Sequence, residues 1–283
     1  MSEPSVIHDI GYQRYAGDRL GRPYAIRSLY EHSVRTAYGL GRGVKAKIFP
    51  WSIVGIMLLV AAIIAAIQSQ LGERVVSYVG FVDSVQTVSM IFVAIVAPEL
   101  VSRDLRAGVL PLYFSRPLRR SDYALTKYAA LTSVVWLLFA VPLIVIFAGA
   151  AFGADGIKPV WHEFQDLLPG LAYAAICAVV HAAVALLAAS FSKRRAFAAA
   201  AVVAAFLVTL PVVGAIRGIY SGDGRHLAMA LNPLSLTNAV GTWLFEPGRD
   251  QIGGYGWVFG VAAVALTGWC IALLLARYRR VAS

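Results

Sequence analysis

Six stretches of this 283-residue chain are apolar for long enough to cross a lipid bilayer, and that limits its folds severely. Each backbone N–H and C=O inside hydrocarbon needs a partner within the chain, and a helix supplies one over about 20 residues. The predicted spans are Pro50–Ile67, Val79–Leu100, Ala124–Phe152, Leu167–Phe191, Ala196–Ile216 and Gly254–Ala276. The chain is 59% hydrophobic with mean hydropathy +0.70. A soluble domain of ordinary composition holds roughly 45–50% apolar residues. The expected fold class is therefore an all-α membrane protein with six transmembrane helices.

Charge orients the spans. With the N-terminus inside, twenty of the 25 Lys and Arg residues fall in inner connectors and five fall outside. The excess of basic residues on cytoplasmic connectors predicts an N-in, C-in arrangement. The +10 formal charge then suits anionic lipid better than nucleic acid, for which no groove-reading or base-stacking module is visible.

The expected organisation is a cytoplasmic tail over 1–23, a connecting helix on the inner membrane surface over 24–49, the six-span domain over 50–276 and a short tail over 277–283. In the connecting helix, Ile26, Leu29, Tyr30, Ser33, Val34 and Ala37 share one face, while Arg27, Glu31 and Arg35 fall four apart on another. A second element is expected before the last span: an outer re-entrant or interfacial helix in "NPLSLTNAVGTWLF", with Asn232 as N-cap and Pro233 at the first helical position. Its Leu234, Leu236, Val240, Trp243 and Leu244 would dip into the outer leaflet. The halves show no matching broken spans, and Pro142 and Pro211 are placed to kink spans three and five.

Several chemistries have no motif here. There is no GxxxxGK[ST] phosphate loop, no HExxH and no GxSxG. Cys177 and Cys270 lie inside apolar blocks and form no CxxC pair. The first apolar block begins near Pro50 behind a polar segment, unlike a cleavable leader. No catalytic residue and no resident cofactor or metal is expected.

The connector "PELVSRDLRAGVLPLYFSRPLRRSDY", Pro98–Tyr123, concentrates charge in a chain only 14% charged. Glu99, Arg103 and Arg106 fit one helical face; Asp104 points elsewhere, towards Arg119 or Arg120 on the return. Gly108 permits a break. The hexapeptide Val109, Leu110, Pro111, Leu112, Tyr113 and Phe114 is apolar, flanked by charge and too short to span. Pro117 fixes a turn after Arg116, and Ser121 is the expected N-cap of span three, with Asp122 in its first turn. A topology-setting loop explains the positive charge but not this order of charged cluster, apolar hexapeptide and charged cluster.

"APELVSRDLRAGVLPLYFSRPLRRSDYALTKY" resembles the signature connector of the type-2 family of ATP-binding-cassette export permeases. Pro98, Glu99, Arg103, Asp104, Gly108, Leu110, Ser115, Arg116, Pro117, Arg119, Asp122, Tyr123 and Lys127 carry the likeness, which extends in layout over residues 24–280. The resemblance implies that two such permeases, identical or related, pair in a bilayer and that each docks on a separate cytosolic ATPase subunit. ATP and Mg would be bound by that partner. Val109–Phe114 would be the coupling helix, with Glu99, Arg103, Asp104, Arg106, Arg116, Pro117, Arg119 and Asp122 flanking it. The expected location is a plasma (inner) membrane of prokaryotic type. The alternative is a non-transporting membrane component that anchors the ATPase and passes its motion to another protein. The spans carry nothing that selects among drug, lipid, peptide or polysaccharide.

For a translocation path, Asp83, Gln86, Thr87 and Met90 recur at helical spacing in span two. An intramembrane Asp faces either a cavity or the hydrated interface. In span four, Cys177 and His181 share a face; two such groups are too few for a metal site, and a lone His in a bundle more often bonds a neighbouring helix.

Overall fold

A computed structural model describes residues 20–71, 74–115, 117–154, 156–220, 223–246 and 252–281. Arg116, residues 1–19 of the expected tail and residues 282–283 lie outside the described residues. Within them the chain is helical and has no strand. Its helices are α1 (Gly21–Ala37), α2 (Val44–Leu71), α3 (Tyr78–Ser84), α4 (Gln86–Leu100), α5 (Ser102–Ala107), α6 (Leu110–Phe114) and α7 (Arg120–Phe152). They continue as α8 (Ile157–Ser190), α9 (Arg195–Leu207), α10 (Leu210–Ile219), α11 (Asp223–Leu227), α12 (Pro233–Phe245) and α13 (Gly256–Val281). Five helical units among the described residues are long and apolar enough to cross a membrane, and the bent pair α3–α4 makes up to six.

Contacts between helix ends give the topology. Arg42 before α2, Glu99 near the end of α4 and Arg195 at the start of α9 meet in one cluster. Arg120 at the start of α7 donates to the Arg279 carbonyl near the end of α13. Arg277 donates to the Ser190 carbonyl at the end of α8. At the other end, Arg74 after α2 pairs with Glu163 and Asp166 in the first turns of α8. The long helices thus alternate in direction. α2 and α7 run parallel, so close near residue 149 that a Cβ there would come within 2.5 Å of the Ala65 Cβ.

Two helix starts depart from expectation. The first long helix begins at Val44, six residues before Pro50, so residues 44–49 belong to it and not to the connecting helix, which ends at Ala37. Pro50 sits within the second turn, where a missing N–H forfeits a single backbone bond. The fourth span's helix starts at Ile157, ten residues before the predicted Leu167, and passes Pro169 without a break. α7 also runs unbroken past Pro142. Near Pro211, where a kink is expected, α9 stops at Leu207 and α10 resumes at Leu210.

α1 lies along the first part of α7. Tyr30 Oη donates to Ser133 Oγ at 2.8 Å, and Tyr38 Oη to the Val134 carbonyl at 3.2 Å. Leu29, Ser33 and Ala37 of the predicted face are buried, and Arg27 bonds Glu31 at 2.9 Å as an i,i+4 pair. α12 begins as expected, with the Asn232 side chain accepting from the Leu234 and Ser235 amides. Its apolar face is divided, however. Leu234, Leu236 and Val240 are buried among helices, while Trp243 and Leu244 remain exposed. Asn232 Nδ2 also donates to the Phe206 carbonyl, at the break between α9 and α10. A helix entry that satisfies a neighbour's broken backbone favours inward packing.

Candidate functional site

Span two is broken, and the break organises the polar interior. α3 and α4 meet at Val85 with a bend of 53°. Asp83, Gln86, Thr87 and Met90 therefore do not form one stripe. Gln86 is buried, Met90 joins the apolar core and Thr87 is exposed, apart from the polar cluster. Asp83 Oδ1 accepts from Gln86 Nε2 at 2.9 Å and from Tyr173 Oη at 3.0 Å. Its Oδ2 accepts from Asn238 Nδ2. Gln86 Nε2 also reaches Tyr173 Oη at 2.5 Å, and Thr237 Oγ1 donates to Gln86 Oε1 at 3.0 Å.

This carboxylate is thus held by neutral donors from α4, α8 and α12, with no cation among its hydrogen-bond partners in the described residues. A small cleft lined by Gly80, Asp83, Tyr173, Asn238, Thr242 and Glu246 opens beside it. One turn deeper, Ser89 Oγ lies 3.1 Å from His181 Nδ1, and His181 Nε2 is buried without a partner. His181 thus bonds a neighbouring helix, and the Phe206 ring stands edge-on to it at 5.3 Å. No three His, Cys, Asp or Glu side chains come together as a metal set among the described residues. Tyr173, Asn238 and Thr237 were missed in the sequence, because their roles depend on how α8 and α12 pack against the bend between α3 and α4.

The charged connector is built differently from its sequence reading. Glu99 is 12% exposed, and its partners are Arg42 Nη1 at 2.6 Å and Arg195 Nη1 at 2.8 Å. Arg103 and Arg106, predicted on its face, are exposed on α5. Val101 interrupts the helix, so spacing counted through it does not hold. Asp104 meets neither Arg119 nor Arg120. Its Oδ2 accepts from Lys127 Nζ at 2.9 Å and from Tyr123 Oη at 2.8 Å. The N-cap of α7 is Arg119, not Ser121, and Asp122 at the third helical position accepts the Arg119 amide at 3.0 Å. Asp122 also binds Arg22 of α1 through both oxygens, at 2.7 and 2.8 Å.

Gly108 closes α5 in the left-handed conformation at φ 64°, and α6 follows. The hexapeptide is therefore a short helix, as expected, but only part of it faces outward. Leu110 is buried, and Tyr113 and Phe114 pack on the Tyr123 ring at 5.7 and 6.2 Å. Val109 is half-buried, Pro111 and Leu112 are exposed, and Leu112 is 67% accessible. Pro117 is exposed and borders, with Tyr113 and Leu118, a cavity of about 360 Å³ against α1. His32 sits at its wall. Partial burial holds that imidazole below its ordinary value, and the positive charge of Lys127 adds to this.

The result is two assemblies at different depths: a charged connector ending in a partly exposed short helix, and a neutral-donor cage around Asp83. α4 joins them, carrying Gln86 at one end and Glu99 at the other. Comparison with protein-family models and with curated proteins gives no match for this chain.

Proposed function

We propose that this chain is the membrane-spanning permease subunit of an ATP-driven exporter of the type-2 ATP-binding-cassette class. Its basic end faces the cytoplasm, both termini lie there, and it pairs with a second permease copy. The observation that carries the reading is α6: a five-residue helix rooted on Tyr123, with Pro111 and Leu112 turned outward between charged segments. An exposed apolar tip on a rigid footing suits docking into a groove of another protein. In this reading the partner ATPase holds ATP and Mg, and this chain contributes no catalytic residue. Motion delivered at α6 passes through Tyr123 to α7 and through α5 to α4. It reaches the bend at Val85 and the Asp83 cage.

The test is purification of the tagged chain from its native membranes, with and without Leu112→Asp, scored for bound ATPase by ATP hydrolysis. Wild type should retain the activity and L112D should lose it while remaining folded. Equal retention, or none with wild type, overturns the proposal. Vesicles holding both subunits then separate transport from anchoring: no ATP-dependent flux across a broad substrate panel assigns the chain to the non-transporting role.

A further inference from the structure

Three apolar helices end around Glu99, and the charge there does not balance. Among the described residues, Glu99 is the sole acid lining a cleft of about 80 Å³ that Arg42, Lys45 and Arg195 also line. Both Glu99 oxygens are already engaged, one by Arg42 and the other by Arg195. Lys45 is exposed, and Arg194 and Lys193 extend the positive charge along the chain from Arg195. A carboxylate with both oxygens engaged leaves the remaining cationic N–H groups seeking an anion.

The depth of the cleft indicates which anion. Its cations sit where α2 and α9 begin and α4 ends, which places them at a bilayer's headgroup level. Phe49 lines the cleft and is 56% exposed; Phe197, whose ring lies 5.9 Å from the Arg194 guanidinium, is 62% exposed. Cationic groups above exposed aromatic rings match a headgroup phosphate above its acyl chains.

We propose that this cleft binds an anionic phospholipid, its phosphate held by Arg42, Lys45 and Arg195 and its chains lying against Phe49 and Phe197. Glu99 repels the phosphate, and its two arginine bridges keep that repulsion small. The bound lipid would fasten the elbow between α1 and α2 to the start of α9. The inference does not depend on the transport reading.

Native mass spectrometry of the detergent-purified chain, titrated with phosphatidylglycerol and with phosphatidylcholine of the same chains, tests it. Wild type should prefer phosphatidylglycerol. Lys45→Gln leaves the Glu99 bridges in place and should weaken phosphatidylglycerol binding about fivefold, the effect of one basic side chain. R217Q, at the other end of the bundle, should keep the preference. Equal binding of the two lipids, an unchanged preference in the variant, a loss in R217Q, or full displacement by millimolar inorganic phosphate would each overturn the assignment.

Discussion

The Tyr123 hydroxyl donates to Asp104 at 2.8 Å, and the same carboxylate oxygen takes the Lys127 ammonium at 2.9 Å. The Tyr123 ring also touches Tyr113 and Phe114 of the short helix and Tyr278 of α13. One buried side chain therefore ties α5, α6, α7 and α13 together. Tyr123→Phe keeps the rings and removes the bond, and should cost about 1.5–3 kcal/mol, the usual range for a hydrogen bond to a charged group. Tyr123→Ala should cost about 3–5 kcal/mol and free α6 to protease. Thermal unfolding in detergent and limited proteolysis measure both.

Glu99 of α4 bridges Arg42 of the elbow and Arg195 of α9, so Glu99→Gln should loosen the elbow at residues 38–43 together with the start of α9. Arg195 is half-exposed, so the cost should stay near the low end of about 1–3 kcal/mol. Hydrogen exchange should rise in both segments at once. A rise in one alone would show that Glu99 does not couple them.

Asp83 accepts three hydrogen bonds from neutral donors, so Asp83→Asn sets an amide N–H against one of them. A loss of about 1–3 kcal/mol is expected. Combining D83N with N238D reverses the donor and acceptor across the α3–α12 contact and should recover more than half of that loss. No recovery would mean that the contact is not what matters at this position.

Gly241 of α12 faces the Tyr173 ring, and an added Cβ would sit 2.5 Å from Cε2. Tyr173 is bonded to Asp83 and Gln86, so the ring has little room to yield. Gly241→Ala should cost about 1–3 kcal/mol through overpacking. Gly55→Ala meets no atom within 4 Å and should be neutral or gain up to about 1 kcal/mol in helix propensity.

The His32 imidazole is held below its ordinary value of 6.5 by partial desolvation first, then by Lys127; Asp104 opposes, while Arg103 and Arg35 add to the effect. The folded chain thus binds this proton less readily than the unfolded chain. The associated stability is present above about pH 6.5 and is lost as pH falls through the folded value. Melting curves from pH 8 to pH 5 should fall for wild type and fall less for His32→Gln.

Much of the helical layout was legible because hydropathy and capping are local. A run of apolar residues must form a helix in hydrocarbon wherever its neighbours lie. The Asn232 cap, the Gly108 break and the short helix after it depend on adjacent residues only, and each was placed within a residue or two. Pro50 misled as the start of the first span, because a missing N–H in the second turn costs less than ending a long apolar helix there.

Partner choice was a different matter. Arg42, Arg103, Arg106 and Arg195 are chemically equivalent in sequence, and spacing favoured the two nearest to Glu99. The break at Val101 rotates Arg103 and Arg106 outward, and the meeting of three helix ends delivers Arg42 and Arg195 instead. In the same way, an Asp at position 83 was readable as intramembrane, but its cage is made by side chains up to 155 residues away. The sequence alone determined which segments become helices and where charge is dense. The tertiary structure decided which charges meet, because an ion pair depends on the relative placement of whole helices, and no local periodicity encodes that placement.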